Sequence, residues 1–379
     1  MRVLMTADSV GGVFGYTVEL ARELSRQGAQ VTVAMLGQPL APQQRAILHG
    51  VRGLALHERV GALEWMNEPW QDVDAAGEWL RELARAQAPS VVHLNGYAHG
   101  ALDFGAPKLI VAHSCVLGWW RAVHGESAPP AYAEYARRVR AGLDGADDVV
   151  APTHAMLETL LDEYGYRGGA VIPNGIDQSS FVPGTKQRCL VAAGRFWDPA
   201  KNLTALAAAA ERLPWPLLIA GPCAERPPHS ERLQLLGAVG RRELFQLFAE
   251  ASALLHPARY EPFGLVPLEA AAYGCALVLG DIPSLREVWG DAASYVPVND
   301  AEAMVEVAQR LASDDAACGR LGGRARARAR AYTASGMAGR YLAMYRRLIN
   351  APRSKAGVAV RISASGRTAA VLEGKETSS

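Results

Sequence analysis

Cysteine is scarce and scattered: the five among 379 residues stand at 115, 189, 223, 275 and 318, odd in number and without a Cys-x-x-Cys pair. That argues against a disulfide framework or a zinc knuckle, and four or five of them read as small buried hydrophobes in a reducing compartment. An excess of one charge is also lacking. Thirty-nine Lys and Arg face 38 Asp and Glu, a formal net charge of +1. No broad surface for polyanions follows, no nucleic-acid module is recognisable, and nucleic acid is not an expected partner. No uninterrupted apolar run reaches the roughly 18 residues of a membrane-crossing helix. The opening Met1-Arg-Val-Leu-Met-Thr-Ala reads as a short buried strand followed at once by a glycine pair, which leaves no room for a signal peptide. The expected location is cytoplasmic, with peripheral contact on the inner face of a membrane left open. Metal is disfavoured: Asp72-Val-Asp74 falls in a helical-looking stretch, and His93 and His99 lack a third ligand at clear spacing.

What is present is ordinary globular composition, half hydrophobic and one fifth charged, long enough for two domains. Short apolar runs at 3–5, 31–35, 91–94, 109–112, 149–151 and 170–172 alternate with helical patterns, the first spanning 13–27 and stopped by Gly28. This is the rhythm of a parallel sheet covered on both faces. It restarts with strand candidates at 189–193, 217–220, 253–255 and 276–279 and a helical stretch at 203–212. The expected fold is α/β, with two Rossmann-like domains: 1–180, 181–335, a helix at 336–350 packing back on the first domain, and a tail at 351–379. A hairpin around Gly366 is an open reading of that tail. Arg324, Arg326, Arg328 and Arg330 turn by about 200° per two-residue step and form no single stripe. They read as a solvated helix face, with a phosphate or anionic lipid contact as the sharper alternative.

Three segments sit where open α/β sheets hold ligands. Asp8-Ser-Val-Gly11-Gly12-Val-Phe-Gly15 follows the first strand. Its glycines let backbone N–H groups approach an anion at a helix N-terminus, although neither the dinucleotide fingerprint nor the Walker loop is matched. Gly194-Arg195-Phe-Trp-Asp198-Pro199-Ala-Lys201-Asn202 occupies the same place in the second half. Asp198 and Pro199 suit a helix start, and two cations there oppose the helix dipole unless an anion lies between them. An arginine fork and a lysine point charge fit a diphosphate. In Tyr260-Glu261-Pro-Phe263-Gly264-Leu265-Val-Pro-Leu-Glu269, a helix over 265–273 places Glu261 just outside its N-terminus. Glu269 then lies one turn in, amid apolar neighbours. Such a carboxylate needs partners or a ligand hydroxyl. His113 follows an apolar strand and reads equally as a ligand group or a satisfied structural histidine; Ser114 and Cys115 beside it lack a nucleophile elbow.

Together these segments resemble the retaining glycosyltransferases with two facing Rossmann-like domains, glycosyltransferase family 4 of the GT-B fold. The marker is two glutamates eight positions apart around Phe-Gly, here Glu261 and Glu269. Gly194-Arg195 with Lys201-Asn202, Val171-Ile-Pro-Asn174-Gly175-Ile-Asp177, and Gly11-Gly12 match further motifs, and the resemblance spans residues 1–350. It implies transfer of a sugar, a hexose first, from a UDP- or GDP-linked donor to a hydroxyl of a saccharide, lipid-linked saccharide or small molecule. No cofactor or strictly required metal is implied, and the chain would be a monomer or homodimer.

By resemblance, Arg195 and Lys201 grip the diphosphate and Glu269 binds the ribose. Glu261 meets the transferred sugar beside the backbone of Phe263, Gly264 and Leu265. Gly11 and Gly12 face the phosphates from the other domain, Asn174 orders the hinge, and His113 contacts the sugar near its reacting carbon. Two departures stand out. Asp281-Ile-Pro-Ser-Leu-Arg-Glu287 replaces the usual glycine pair while keeping the later acidic position, and the segment at 116–125 is unusually aromatic, fit for acceptor surface, core or lid. A sugar-nucleotide epimerase of the same fold and a non-catalytic nucleotide-binding or scaffold protein are the competing readings.

Overall fold

The computed structural model describes every residue except 180, 226, 228, 229 and 352–379, so the tail hairpin lies outside the described residues. The first half carries β1 (Arg2–Asp8), β2 (Gln30–Gly37), β3 (Leu54–Val60), β4 (Val91–Leu94), β5 (Lys108–Val111), β6 (Asp148–Ala151) and β7 (Ala170–Val171). Its helices are α1 (Gly12–Arg26), α2 (Pro42–His49), α3 (Trp70–Gln87), α4 (Val116–His124), α5 (Ala133–Gly145) and α6 (His154–Tyr164). The second half carries β8 (Gln187–Ala193), β9 (Leu217–Ala220), β10 (Leu233–Gly237), β11 (Ala251–His256), β12 (Ala276–Gly280) and β13 (Ser294–Val296). With them run α7 (Leu203–Ala210), α8 (Arg241–Glu250), α9 (Leu265–Ala272), α10 (Pro283–Trp289), α11 (Ala301–Ser313), α12 (Asp315–Ala329) and α13 (Ala334–Asn350).

The described strands form two sheets, ordered β3-β2-β1-β4-β5-β6-β7 and β10-β9-β8-β11-β12-β13, and every pairing is parallel. Each order reverses once, beside β1 and beside β8, and a crevice opens there at the strands' carboxyl ends. The two glycine-bearing loops of the sequence leave those same two strands. Central strands were legible because burial on both faces makes them continuous apolar runs. The missed strands β3, β10 and β13 all lie at or next to a sheet edge. β3, Leu-Ala-Leu-His-Glu-Arg-Val, alternates between half-buried and exposed positions, which blunts the apolar signal.

The last helix serves the first sheet. Met337, Tyr341, Tyr345 and Leu348 of α13 join one core with Val3, Tyr16, Leu20 and Val91. Two crossover segments therefore connect the halves, and they pair with each other: Ile176 donates its N–H to Tyr332 O at 3.2 Å and accepts from Ala334 N–H at 3.1 Å. A Cβ on Gly175 would lie 2.2 Å from Thr333 O, so only glycine permits this approach. Asn174 is buried beside the crossing, and its Oδ1 lacks a hydrogen-bond partner among the described residues.

Candidate active site in the cleft

The phosphate-side wall starts at the end of β8. Asp198 accepts a hydrogen bond from Ala200 N–H at 2.9 Å, and Pro199 opens a short 3-10 turn, Pro199–Lys201. Asn202 then takes a left-handed conformation, φ 59°, anchored by its Nδ2 donating to Pro257 O at 2.9 Å. Lys201 therefore ends a separate turn, not the first turn of α7. That turn aims its Nζ to 2.7 Å from Glu261 Oε2, with each side chain only 15% exposed. His256 Nε2 lies 3.3 Å from the same oxygen. Burial pushes the Glu261 carboxyl up, but the Lys201 ammonium and His256 outweigh it and hold it well below the usual range.

Across the cleft, Gly11 has φ 76°, and a Cβ there would lie 2.2 Å from Arg195 Nη1. The Arg195 guanidinium thus reaches the first-domain loop, steadied by the Trp197 ring at 5.2 Å. A Cβ on Gly12 would lie 3.4 Å from Leu265 Cδ1. Asp8, oriented by Val10 N–H at 2.9 Å, is pushed up to about 6, chiefly by burial and against the pull of Arg195.

Helix α9 begins after Gly264, φ 95°, with no side-chain cap, so its N-terminal N–H groups remain available to ligand oxygens. Phe263 contributes backbone only, since its ring is buried edge-on to Tyr332 at 5.5 Å. Glu269, one turn along, keeps a solvent-facing edge near Arg241 and Glu19, where α8 meets α1. Burial raises it to about 7, with Arg241 pulling it down and Glu19 pushing it up. Its carboxylate has no hydrogen-bond partner among the described residues, the expected state of a group awaiting a hydroxyl. Arg241 Nη2 and Glu19 Oε1 pair at 3.3 Å between α8 and α1.

His113 lies at the end of β5 with its Nε2 2.8 Å from Asn95 Oδ1. Burial, then the neighbouring His93, lowers it to about 3, so the ring is neutral at ordinary pH. His99 bonds Val73 O at 2.9 Å and His124 stacks on Trp120 at 4.2 Å; both are satisfied locally.

The two departures have structural uses. Within the aromatic helix α4, Trp119 Nε1 donates to Asp198 Oδ1 at 2.9 Å, joining the halves. Glu287 accepts from His154 N–H at 2.8 Å and Ala155 N–H at 3.0 Å, capping α6 across the domains. Its acidic position is therefore occupied by a structural contact. Ser284 Oγ donates to Glu261 O at 2.6 Å, holding the glutamate loop in place of the missing glycines.

A pocket in the first half abuts this cleft and is lined by Asp8, Arg59, Glu64, Trp65, Asn95 and neighbouring backbone. The sequence reading missed Asp8 as a cleft carboxylate, Asn95, His256, and the Glu19–Arg241 pair. Position supplied a signal for two of them: Asn95 follows β4 and His256 ends β11, the strands beside the two switch points. Glu19 and Arg241 are ordinary helix charges in sequence. Among the described residues no group of three or more His, Cys, Asp or Glu could hold a metal ion, and no described helix is long and apolar enough to cross a membrane.

Two facing Rossmann-like domains with parallel sheets make the GT-B fold, and the family models matched along both of them put the chain in the glycosyltransferase superfamily. Residues 10–180 match the family model Glycosyltransferase Family 4, and residues 187–314 match Glycosyl transferases group 1. The chain is 27% identical to the D-inositol 3-phosphate glycosyltransferase of Xylanimonas cellulosilytica, over 85% of this chain and 88% of that protein. It is 26% identical to O-antigen chain mannosyltransferase B of Escherichia coli, over 45% of this chain and 53% of that protein. Here the match spans about half of the relative's length. The fold also matches HepE of Anabaena, solved in complex with UDP and glucose, with a TM-score of 0.75 at 16% identity over 92% of this chain and 100% of that one.

Proposed function

We propose that this protein is a retaining family 4 glycosyltransferase that moves a hexose from a UDP- or GDP-linked donor to an acceptor hydroxyl on a saccharide, lipid-linked saccharide or small molecule. The carrying observation is convergence: Arg195 reaches the Gly11 loop, Lys201 pairs with Glu261 just ahead of the uncapped α9 N-terminus, and Glu269 stands unpartnered one turn into that helix. That set fits a diphosphate flanked by a sugar and a ribose. The family model over residues 10–180 supports the family 4 assignment, and the UDP-bound neighbour supports the donor class. The pocket beside Asp8 and Asn95 supports an acceptor side in residues 1–180, facing a donor side in residues 181–335.

Transfer proceeds on one face of the donor sugar. The glycosidic bond loosens, and negative charge grows on the departing diphosphate, where Arg195, Lys201 and the helix N-terminus stabilise it. The incoming hydroxyl adds to the anomeric carbon from that side, and its proton passes to the leaving phosphate. Glu261, ionised and paired with Lys201, positions sugar hydroxyls and forms no glycosyl-enzyme. Contact between the halves excludes water and limits donor hydrolysis.

The test is a thermal-shift screen against nucleoside diphosphates and their sugars, followed by product analysis with candidate acceptors. A new glycoside with retained configuration supports the reading. Donor isomerised without an acceptor points to an epimerase. Absence of any nucleotide-dependent stabilisation removes the proposal, and so does a covalent glycosyl adduct on Glu261 with a slow donor.

A further inference from the structure

Asn95, one residue beyond β4, stands between two imidazoles. Its Oδ1 lies 3.0 Å from His93 Nε2 and 2.8 Å from His113 Nε2. Its orientation is fixed from the other side, because Nδ2 donates to Thr6 O at 2.6 Å. A flipped amide would set two oxygens against each other there. Its backbone N–H also donates to Thr6 Oγ1 at 2.9 Å.

An amide oxygen carries no proton and has two lone pairs, so both ring nitrogens facing it are donors. A neutral imidazole with its proton on Nε2 bears a lone pair on Nδ1. At His93 that lone pair is used: Tyr345 Oη of α13 lies 2.6 Å from Nδ1. At His113 it is not used by any described residue, although the ring stands at the cleft, edge-on to Tyr16 with centroids 4.5 Å apart. Both rings are neutral, since burial lowers His93 to about 4 as it lowers His113.

We propose that Asn95 is a positioning residue: it locks His113 in the Nε2–H form and so keeps Nδ1 as a hydrogen-bond acceptor for a hydroxyl of the bound sugar or acceptor. The inference rests on the reading of His113 as a substrate-facing group. A ring with the opposite tautomer would present a donor instead and lose that contact. Thr6, at the far side of Asn95, fixes the amide, while Tyr345 fixes only His93.

The test begins with long-range nitrogen–proton NMR of the ligand-free, histidine-labelled protein, with the His113 signal assigned from a His113→Gln variant. The wild-type ring is expected to carry its proton on Nε2 alone. Asn95→Ala is expected to give mixed tautomers at His113 and lower kcat about ten- to hundredfold, the scale on which losing the outer partner of a metal-bound histidine lowers activity. Tyr345→Phe is expected to disturb His93 and leave His113 unchanged. Asn95→Asp keeps an acceptor but favours the imidazolium, so its kcat falls as pH drops through the raised His113 pKa and recovers above it, a rescue that a merely structural role would not produce. An Nδ1 proton on wild-type His113 overturns the proposal even if Asn95→Ala fails to fold. So does Asn95→Ala with an unchanged His113 signal and kcat. The spectrum is read without turnover, so its failure is separate from failure of the glycosyltransferase reading.

Discussion

Gly11 and Arg195 meet across the cleft: the guanidinium occupies the space that a side chain on Gly11 would need, 2.2 Å from the position of the missing Cβ. A first-domain glycine and a second-domain arginine are thus one feature. Gly11→Ala is expected to strain a backbone position, φ 76° and ψ −148°, that only glycine adopts readily, by about 1–3 kcal/mol, and to displace Arg195. The measurement is donor affinity by calorimetry beside Tm. A variant that binds donor normally, with only Tm lowered, would show that the approach is structural.

Arg195→Ala leaves the loop free to relax and removes the cation itself. Turnover is expected to fall about 10²–10³-fold, or about 3–4 kcal/mol, the scale for losing one preorganised charge stabiliser. Circular dichroism should be unchanged. Near-normal kcat defeats the role of Arg195 at the leaving phosphate.

The Lys201–Glu261 pair predicts a separation of stability from activity. Removing one partner of a buried pair costs about 3–5 kcal/mol, and each of these side chains is only 15% exposed. Lys201→Ala should lower both Tm and turnover. Lys201→Met with Glu261→Gln should recover most of the Tm and none of the turnover. Recovered activity in the double variant would show that neither charge acts on substrate.

Glu269 gives a pH dependence with two opposite signs. Its folded pKa, about 7, lies above the ordinary 4.5. The folded state therefore holds that proton more tightly, and this group costs stability as pH rises from about 4.5 through about 7. Binding a ribose hydroxyl favours the ionised form, so nucleotide affinity should rise over the upper part of that window. Glu269→Gln should raise the ligand-free Tm at pH 8 while lowering and flattening nucleotide affinity. Calorimetric titrations between pH 6 and pH 8 read both. Affinity that stays flat in the parent protein would place the ribose elsewhere.

Trp119 and Asp198 join the domains through one indole N–H. Trp119→Phe keeps the ring and deletes that bond, worth about 0.5–1.5 kcal/mol. The donor KM should rise severalfold, with Tm little changed. An unchanged KM would show that the bond does not contribute to the catalytically competent arrangement.

The sequence by itself determined the two parallel sheets and the loops that bear the site. Continuous apolar runs at β1, β4, β8 and β11, bounded by glycine-bearing loops and alternating with helical stretches, read as central strands, and the Asp198-Pro199 turn sets its local backbone through its own residues. It also placed Arg195 just past β8 and Glu261 and Glu269 about the start of α9, where open α/β sheets offer ligand positions. Tertiary structure alone decided which of them pair. Lys201 and Glu261 are 60 residues apart, and Glu287, in sequence only an acidic position of the family pattern, caps α6. Asn95, His93 and Tyr345 became one network only because α13, the last described helix, returns to the first sheet. Such contacts depend on how two domains and a crossing helix are placed in space. Hydrogen-bond directions and burial then set the charge state of each group, and neither quantity is local to any stretch of chain.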